Sequence, residues 1–463
     1  MFIHNKSIGK LFFLAVLCPI LTFADVSWLY SGGQLIEQNV EEGARGWILN
    51  VSANGTGFLQ FKGVAQSGTN VTGSVTSRRL LDMDAPITNA SGVVYKINKL
   101  SDDIFNNSTI VDTIVLPSEL TSIPRNFLRG DKSTLKRVII PGDKITSISQ
   151  FAFYENKSIT NITPMVFNSL TYIGNGAFNC CENLAGDFIV NTKNLTLESG
   201  NYGTFQNCYK LSSFINKGDF TGTLPTRCFM GSGFKRIQIT SKPVTKITRI
   251  EGASVYGCAS LTNFSPLVFD RLTYIGKQAF DETQKLKGDF AITHENDVSI
   301  GTEAFGWEAV KMTSFSVQGR VTSIGTRFFQ GDTALTNVYF GSTVASPGNY
   351  FLYGCTALRV LTMPYRPASF GGTASFDKIS VRQMVVRADR RDTGVNGWFN
   401  PAKYTPWGEL SQSVKNEWLN LSEETKKARG WSGFKHPKGV TLGLTKNQWL
   451  TIIPPKVSVL MLR

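Results

Sequence analysis

The sequence predicts a repeat solenoid. Stacked coils would put a parallel β-sheet on one face and turns and short helical segments on the other, with a β-rich N-terminal cap and a small mixed C-terminal region. Three observations predict this. A long segment recurs at a fixed offset, bulky anchors recur about every 24 residues, and each unit closes on residues at strand spacing.

The duplicated segment is LTYIGNGAFNCCENLAGDF, from Leu170, and LTYIGKQAFDETQKLKGDF, from Leu272, an offset of 102 residues. Each copy holds a shorter unit, roughly I-G-x-x-A-F-x-x-C-x-x-L-x-x-I-x-I. The anchor falls at Phe153, Phe178, Phe205, Phe229, Val255, Phe280, Phe305 and Phe329. An outlying first copy starts at Leu120, and a last one holds Leu352, Cys355 and Leu358. About ten units lie between Leu120 and Met363.

Each part of the unit has a physical reading. Leu135/Val138/Ile140 and Phe234/Ile237/Ile239 end on the period of two that a half-buried strand requires. The A-F step reads as a plug on the opposite side of the coil, and the glycine of the Ile-Gly step as the residue that permits a tight turn. One unit has too few apolar residues for a core of its own, so it must stack on its neighbours.

These units resemble the BspA-type leucine-rich repeats of bacterial surface proteins. The resemblance covers about half the chain. It implies a leucine-rich-repeat solenoid that binds host extracellular proteins or other cells. Departures are Val255 in place of Phe, Leu224-Pro225 in place of Ile-Gly, and an insertion near Glu198-Ser199-Gly200.

The ends read differently from the array. Residues 1–24 have the form of a signal peptide: Lys6 and Lys10, an apolar run Leu11 to Leu21, then Thr22-Phe23-Ala24 before Asp25. Export to the cell surface or medium is therefore expected. Residues 25–109 carry alternating runs broken by Asn-Gly and Gly-rich turns, which predict a β-rich cap. The array is assigned to 110–364 and a terminal coil with its cap, including a strand at Gln383 to Asp389, to 365–395. Residues 396–463 form a basic, Trp-rich tail with expected helices at Ser411 to Leu419 and Ser422 to Gly430.

Charge separates the tail from the rest. From Arg366 onward there are 16 Lys/Arg against 7 Asp/Glu. That surplus suits peripheral contact with an anionic surface, or simple solvation. Export argues against nucleic acid as a partner.

Little in the sequence points to catalysis. No phosphate-binding loop, nucleophile elbow or H-E-x-x-H occurs, and His294 and His436 fall in different predicted regions. No cofactor or metal is expected. Cys181, Cys208, Cys258 and Cys355 share one repeat phase, three residues after the anchor. This reads as a buried slot, though neighbours such as Cys181 and Cys208 are also candidates for a disulfide.

A binding role points instead to the strands. Residues between the inward apolar positions should face outward: Arg137 and Ile139, Arg236 and Gln238, Asn337 and Tyr339, with Ile189 and Ile215 in the same phase. Exposed Ile and Tyr beside Arg suit a host extracellular protein, a glycan or another cell surface, bound by a monomer. The alternative role is a structural envelope or matrix component that docks on its own cell through the tail.

Overall fold

The computed structural model describes residues 112–362, apart from 132, 307–310 and 346. Before them it describes residues 83–84, 96–103 and 105, and further strands are defined by backbone alone. The chain is a parallel-strand β-solenoid of about ten turns. It divides into two compact units. One comprises Met1–Phe220 with Arg227–Ser241, and the other Thr221–Thr226 with Lys242–Arg463.

In the first unit every complete coil gives one strand to each of two parallel faces. On the first face, Leu80–Asp82, Thr113–Val115, Arg137–Ile139 and Asn161–Thr163 pair in sequence. A second ladder on this face joins Val166–Phe167, Gly186–Val190, Leu211–Asn216 and Arg236–Gln238. The second face stacks Ser122–Ile123, Ser147–Ile148, Tyr172–Ile173 and Asn194–Leu197. The second unit repeats this plan, with Lys287–Ile292, Lys311–Val317 and Asn337–Phe340 on one face and Lys246–Ile250, Tyr274–Ile275, Val298–Ile300 and Val321–Ile324 on the other.

Ahead of the array, Leu49–Ala53 and Phe58–Gly63 pair antiparallel. Beyond it, Gln383–Arg387 lies parallel between Val360–Met363 and Trp449–Ile453. The helices expected at 411–419 and 422–430 lie outside the described residues.

The anchors build the core. In the first unit Phe153, Phe178, Phe205 and Phe229 stack in one column. Centroids are 5.1 Å, 5.2 Å and 5.8 Å apart and ring planes lie within 9° of parallel. Phe188 and Phe214, from the strand side, meet them edge-on or tilted. The second unit repeats the column with Phe280, Phe305 and Phe329. All of these rings are fully buried.

Two details differ from expectation. The face opposite the first sheet holds no helical segment among the described residues. Instead, residues two before and two after the anchor adopt left-handed backbone: Phe151 and Glu155 around Phe153, Gln278 and Glu282 around Phe280. The corner's N–H groups also point to the next coil. Phe151, Phe153 and Glu155 donate to Asn175, Ala177 and Asn179 at 2.7–3.1 Å. Donors committed between coils are lost to the i to i−4 pattern of a helix.

The glycine of the Ile-Gly step is the second difference. Its φ is not left-handed, so no special turn requires it. Space does. A Cβ on Gly174 would sit 2.3 Å from the Gln150 nitrogen, and one on Gly276 2.4 Å from that of Gly252. The coils approach backbone to backbone at this step.

The corner ladder also reaches upstream of the clear repeats. Asp103 N–H donates to Arg125 O and Phe105 N–H to Phe127 O, and the Phe105 and Phe127 rings meet at 5.4 Å. Both residues fall in the stretch that the sequence reading gave to the cap.

Candidate interaction surface

Strand alternation sets the exposed side of the first face. Fully buried Val138 lies between exposed Arg137 and half-buried Ile139. Ile237 separates exposed Arg236 from half-buried Gln238, and Val338 separates exposed Asn337 from half-buried Tyr339. Parallel register lines these residues into columns, so the sequence pattern becomes a surface pattern.

The columns are not equivalent. In the first unit Thr113, Arg137 and Asn161 align, as do Val115, Ile139 and Thr163. On the neighbouring ladder Asp187, Ser213 and Arg236 align beside Ile189, Ile215 and Gln238, and Val166 is in register with Ile189. Val166, Ile189 and Ile215 thus make an aliphatic row, with Val166 38% exposed. Arg236 closes its polar edge through a 2.5 Å bond to the Gln238 amide oxygen.

In the second unit Asn337 aligns with Ser314 and Asp289, and Tyr339 with Ser316 and Ala291. Hydroxyl donors from Thr313 and Ser314 hold the Asp289 carboxyl below its usual range. Of the six residues singled out from sequence, the structure brings Arg236 and Gln238 into contact. It puts Arg137 and Ile139 on a separate ladder, and Asn337 and Tyr339 belong to the other unit.

The sequence reading missed an aromatic corner on the first unit, formed by Phe151, Tyr154 and Tyr202 with Arg129. The insertion at Glu198–Gly200 was its only signal, because it delivers Tyr202 from a distant stretch of chain.

The cysteines have structural work. All six described cysteines are free thiols, and only Cys180 is not fully buried. Cys181, Cys208 and Cys355 donate to the anchor carbonyls of the preceding coil, Phe153, Phe178 and Phe329, at 2.9–3.0 Å. Burial raises the pKa of all three thiols, so they are poor nucleophiles at neutral pH. His294 is likewise engaged in its own loop, with Nε2 on Leu272 O at 2.7 Å and Nδ1 accepting from Asn296 N–H. Among the described residues no group of three His, Cys, Asp or Glu is placed to hold a metal ion.

The BspA type leucine rich repeat region matches residues 89–212, 191–308 and 298–387. The chain belongs to the BspA-type leucine-rich repeat family. No curated protein matches it. Among solved structures, this BspA-type chain is similar to a leucine rich cell surface protein of Faecalibacterium prausnitzii. Identity is 20%, with 78% of this chain and 88% of that one covered and a TM-score of 0.41. A leucine-rich repeat protein of Bacteroides ovatus is 14% identical, covering 81% and 96% with a TM-score of 0.37. The pneumococcal vaccine antigen PcpA is 14% identical, covering 76% and 95% with a TM-score of 0.39.

Proposed function

We propose that this BspA-type protein is an exported, adhesin-like binding protein whose first sheet face takes a protein partner. The observation that carries the reading is the aliphatic row Val166, Ile189 and Ile215 on a strand face, bordered by Arg236 and Gln238. Every strand beneath it is fixed by neighbours in register, so the surface is preformed and little ordering entropy opposes binding. Aliphatic centre and arginine rim match the layout of a protein interface. The expected signal peptide and the family assignment support the same reading, and no catalysis is proposed.

The test is surface plasmon resonance of the mature protein over immobilised matrix proteins and mucins, and saturable binding to host cells. Ile215→Asp and Arg236→Glu should each weaken capture while leaving the melting temperature unchanged. Absence of saturable binding to all of these surfaces would reject the proposal.

The basic tail supports a second reading, an envelope component that docks on its own cell. The test is fractionation of the native host with full-length protein and a version ending near Asp392. Retention of the truncated protein on the cells removes the tail as anchor.

A further inference from the structure

The coil between Phe178 and Phe205 contains the insertion at Glu198-Ser199-Gly200, and the structure shows how firmly it is fastened. The Glu198 carboxylate accepts from Gln150 Nε2 at 2.7 Å, from the Asn175 backbone N–H at 2.8 Å and from the Tyr172 hydroxyl. Asn175 Nδ2 donates in turn to Tyr202 O at 2.7 Å. Gly200 lies so close to the Asn175 side chain that a Cβ would fall 2.2 Å from Nδ2.

This fastening sets the Tyr202 ring against Phe151 and Tyr154, about fifty residues earlier in the chain. The three centroids are 5.3–5.5 Å apart, and each pair of rings is within 8° of perpendicular. The intervening coil contributes Gly176, where a Cβ would lie 2.9 Å from the Phe151 ring and 3.1 Å from the Tyr202 Cβ. A bare backbone there lets rings from the flanking coils meet. The Arg129 guanidinium lies 5.5 Å and 5.1 Å from the Phe151 and Tyr154 centroids.

We infer that this corner is a saccharide-binding platform, separate from the sheet face. Tyr202 is 44% exposed although its neighbours hold it in place, so part of an aromatic side chain stands fixed in solvent. The face of such a ring is electron-rich and attracts the polarised C–H groups on the apolar side of a pyranose. Hydrogen-bonding groups border it. The Glu155 carboxylate meets the Tyr154 hydroxyl, and the Asn126 amide lies against Arg129. Size favours a small ligand over a protein. Three half-covered rings offer roughly 250 Å² at most, whereas a stable protein interface needs about 800 Å² from each partner.

Saturation-transfer NMR on the mature full-length protein tests this, with cellotriose, triacetylchitotriose, maltotriose and mannotriose as probes. At least one should receive saturation at its ring C–H protons. Tyr202→Ala should weaken that binding by about tenfold or more, and Tyr202→Phe should retain most of it. Circular dichroism melts of both variants guard against unfolding. Arg236→Glu should leave saccharide binding unchanged, which separates this site from the sheet face. The proposal is overturned if no trisaccharide receives saturation or if Tyr202→Ala binds as well as wild type. It is also overturned if Tyr202→Ala abolishes capture of a matrix protein while every trisaccharide stays silent, because the corner is then a protein contact.

Discussion

The Cys208 thiol donates to the carbonyl of Phe178 at 3.0 Å, across thirty residues of chain and one coil of the array. The bond ties the slot three residues after one anchor to the anchor before it. Cys181 and Cys355 repeat it, and Asn156 fills the same slot with its amide, donating to Leu128 O at 3.3 Å.

Cys208→Ala would remove both the sulfur and the donor from a fully buried site. A loss of about 1–3 kcal/mol is expected from the lost thiol bond and the small void, with the Phe178 carbonyl still accepting from Cys181 N–H. Urea unfolding checks it.

Burial also governs thiol reactivity. In native mature protein a disulfide reagent such as DTNB should modify Cys180 first. Cys181, Cys208, Cys228, Cys258 and Cys355 should react only after denaturant is added. Rapid labelling of all six under native conditions would contradict the packing described.

The phenylalanine column makes each coil depend on two others. Phe178 stacks on Phe153 and on Phe205, and its ring is almost parallel to both. Phe178→Ala should cost about 3–5 kcal/mol. Hydrogen exchange should quicken in the coils on both sides, since both lose the same ring.

Two glycines separate crowding from backbone strain. Gly174→Ala would drive a methyl to 2.3 Å from the Gln150 nitrogen, and a cost of about 3 kcal/mol is expected. Gly222 has φ +93° but open space around it, so Gly222→Ala should cost only about 1 kcal/mol. Thermal melts of the pair should keep this order.

Asp332 occupies the slot that Cys and Asn fill elsewhere. It is buried, with Oδ1 accepting from Ala334 and Leu335 N–H and Oδ2 lacking a hydrogen-bond partner. Burial pushes its pKa up to about 7, and burial likewise pushes Asp281 up to about 6. Between their unfolded values, near 4, and these raised values, the folded state binds more protons than the unfolded chain. Stability should therefore fall as pH rises from about 4 to 7 and then level off. Asp332→Asn should flatten much of that slope. It should also stabilise the protein at pH 8 by about 1–3 kcal/mol, because an amide can donate to the Phe305 carbonyl as Asn156 does to that of Leu128. Melting curves from pH 4 to 8 for both proteins decide the matter.

Much of the architecture was legible because the repeat is carried by side-chain size. Phe178 and Phe280 in matching segments announce stacked cores, and Val138 between Arg137 and Ile139 announces which side of a strand is wet. The left-handed corners were not legible, because Phe151 and Glu155 are not residues that advertise that backbone. Their conformation comes from bonds to Asn175 and Asn179 of the next coil. The Gly174 reading went astray for the same reason, since only the neighbouring Gln150 backbone explains it. The Phe105 coil lacks an Ile-Gly step and stayed hidden. The aromatic corner depends on Tyr202 crossing an intervening coil, and no local pattern encodes that.

The clamp at Glu198 has a consequence for how such an array can diversify. Twenty-seven residues separate Phe178 from Phe205, against twenty-four from Phe205 to Phe229, yet the rings stack at 5.2 Å and 5.8 Å. The surplus chain is taken up at a corner and does not spread into the sheets. Coil length is therefore a free variable at that corner. A lineage can graft new surface there by lengthening a single turn, leaving the pairing of every other turn as it was.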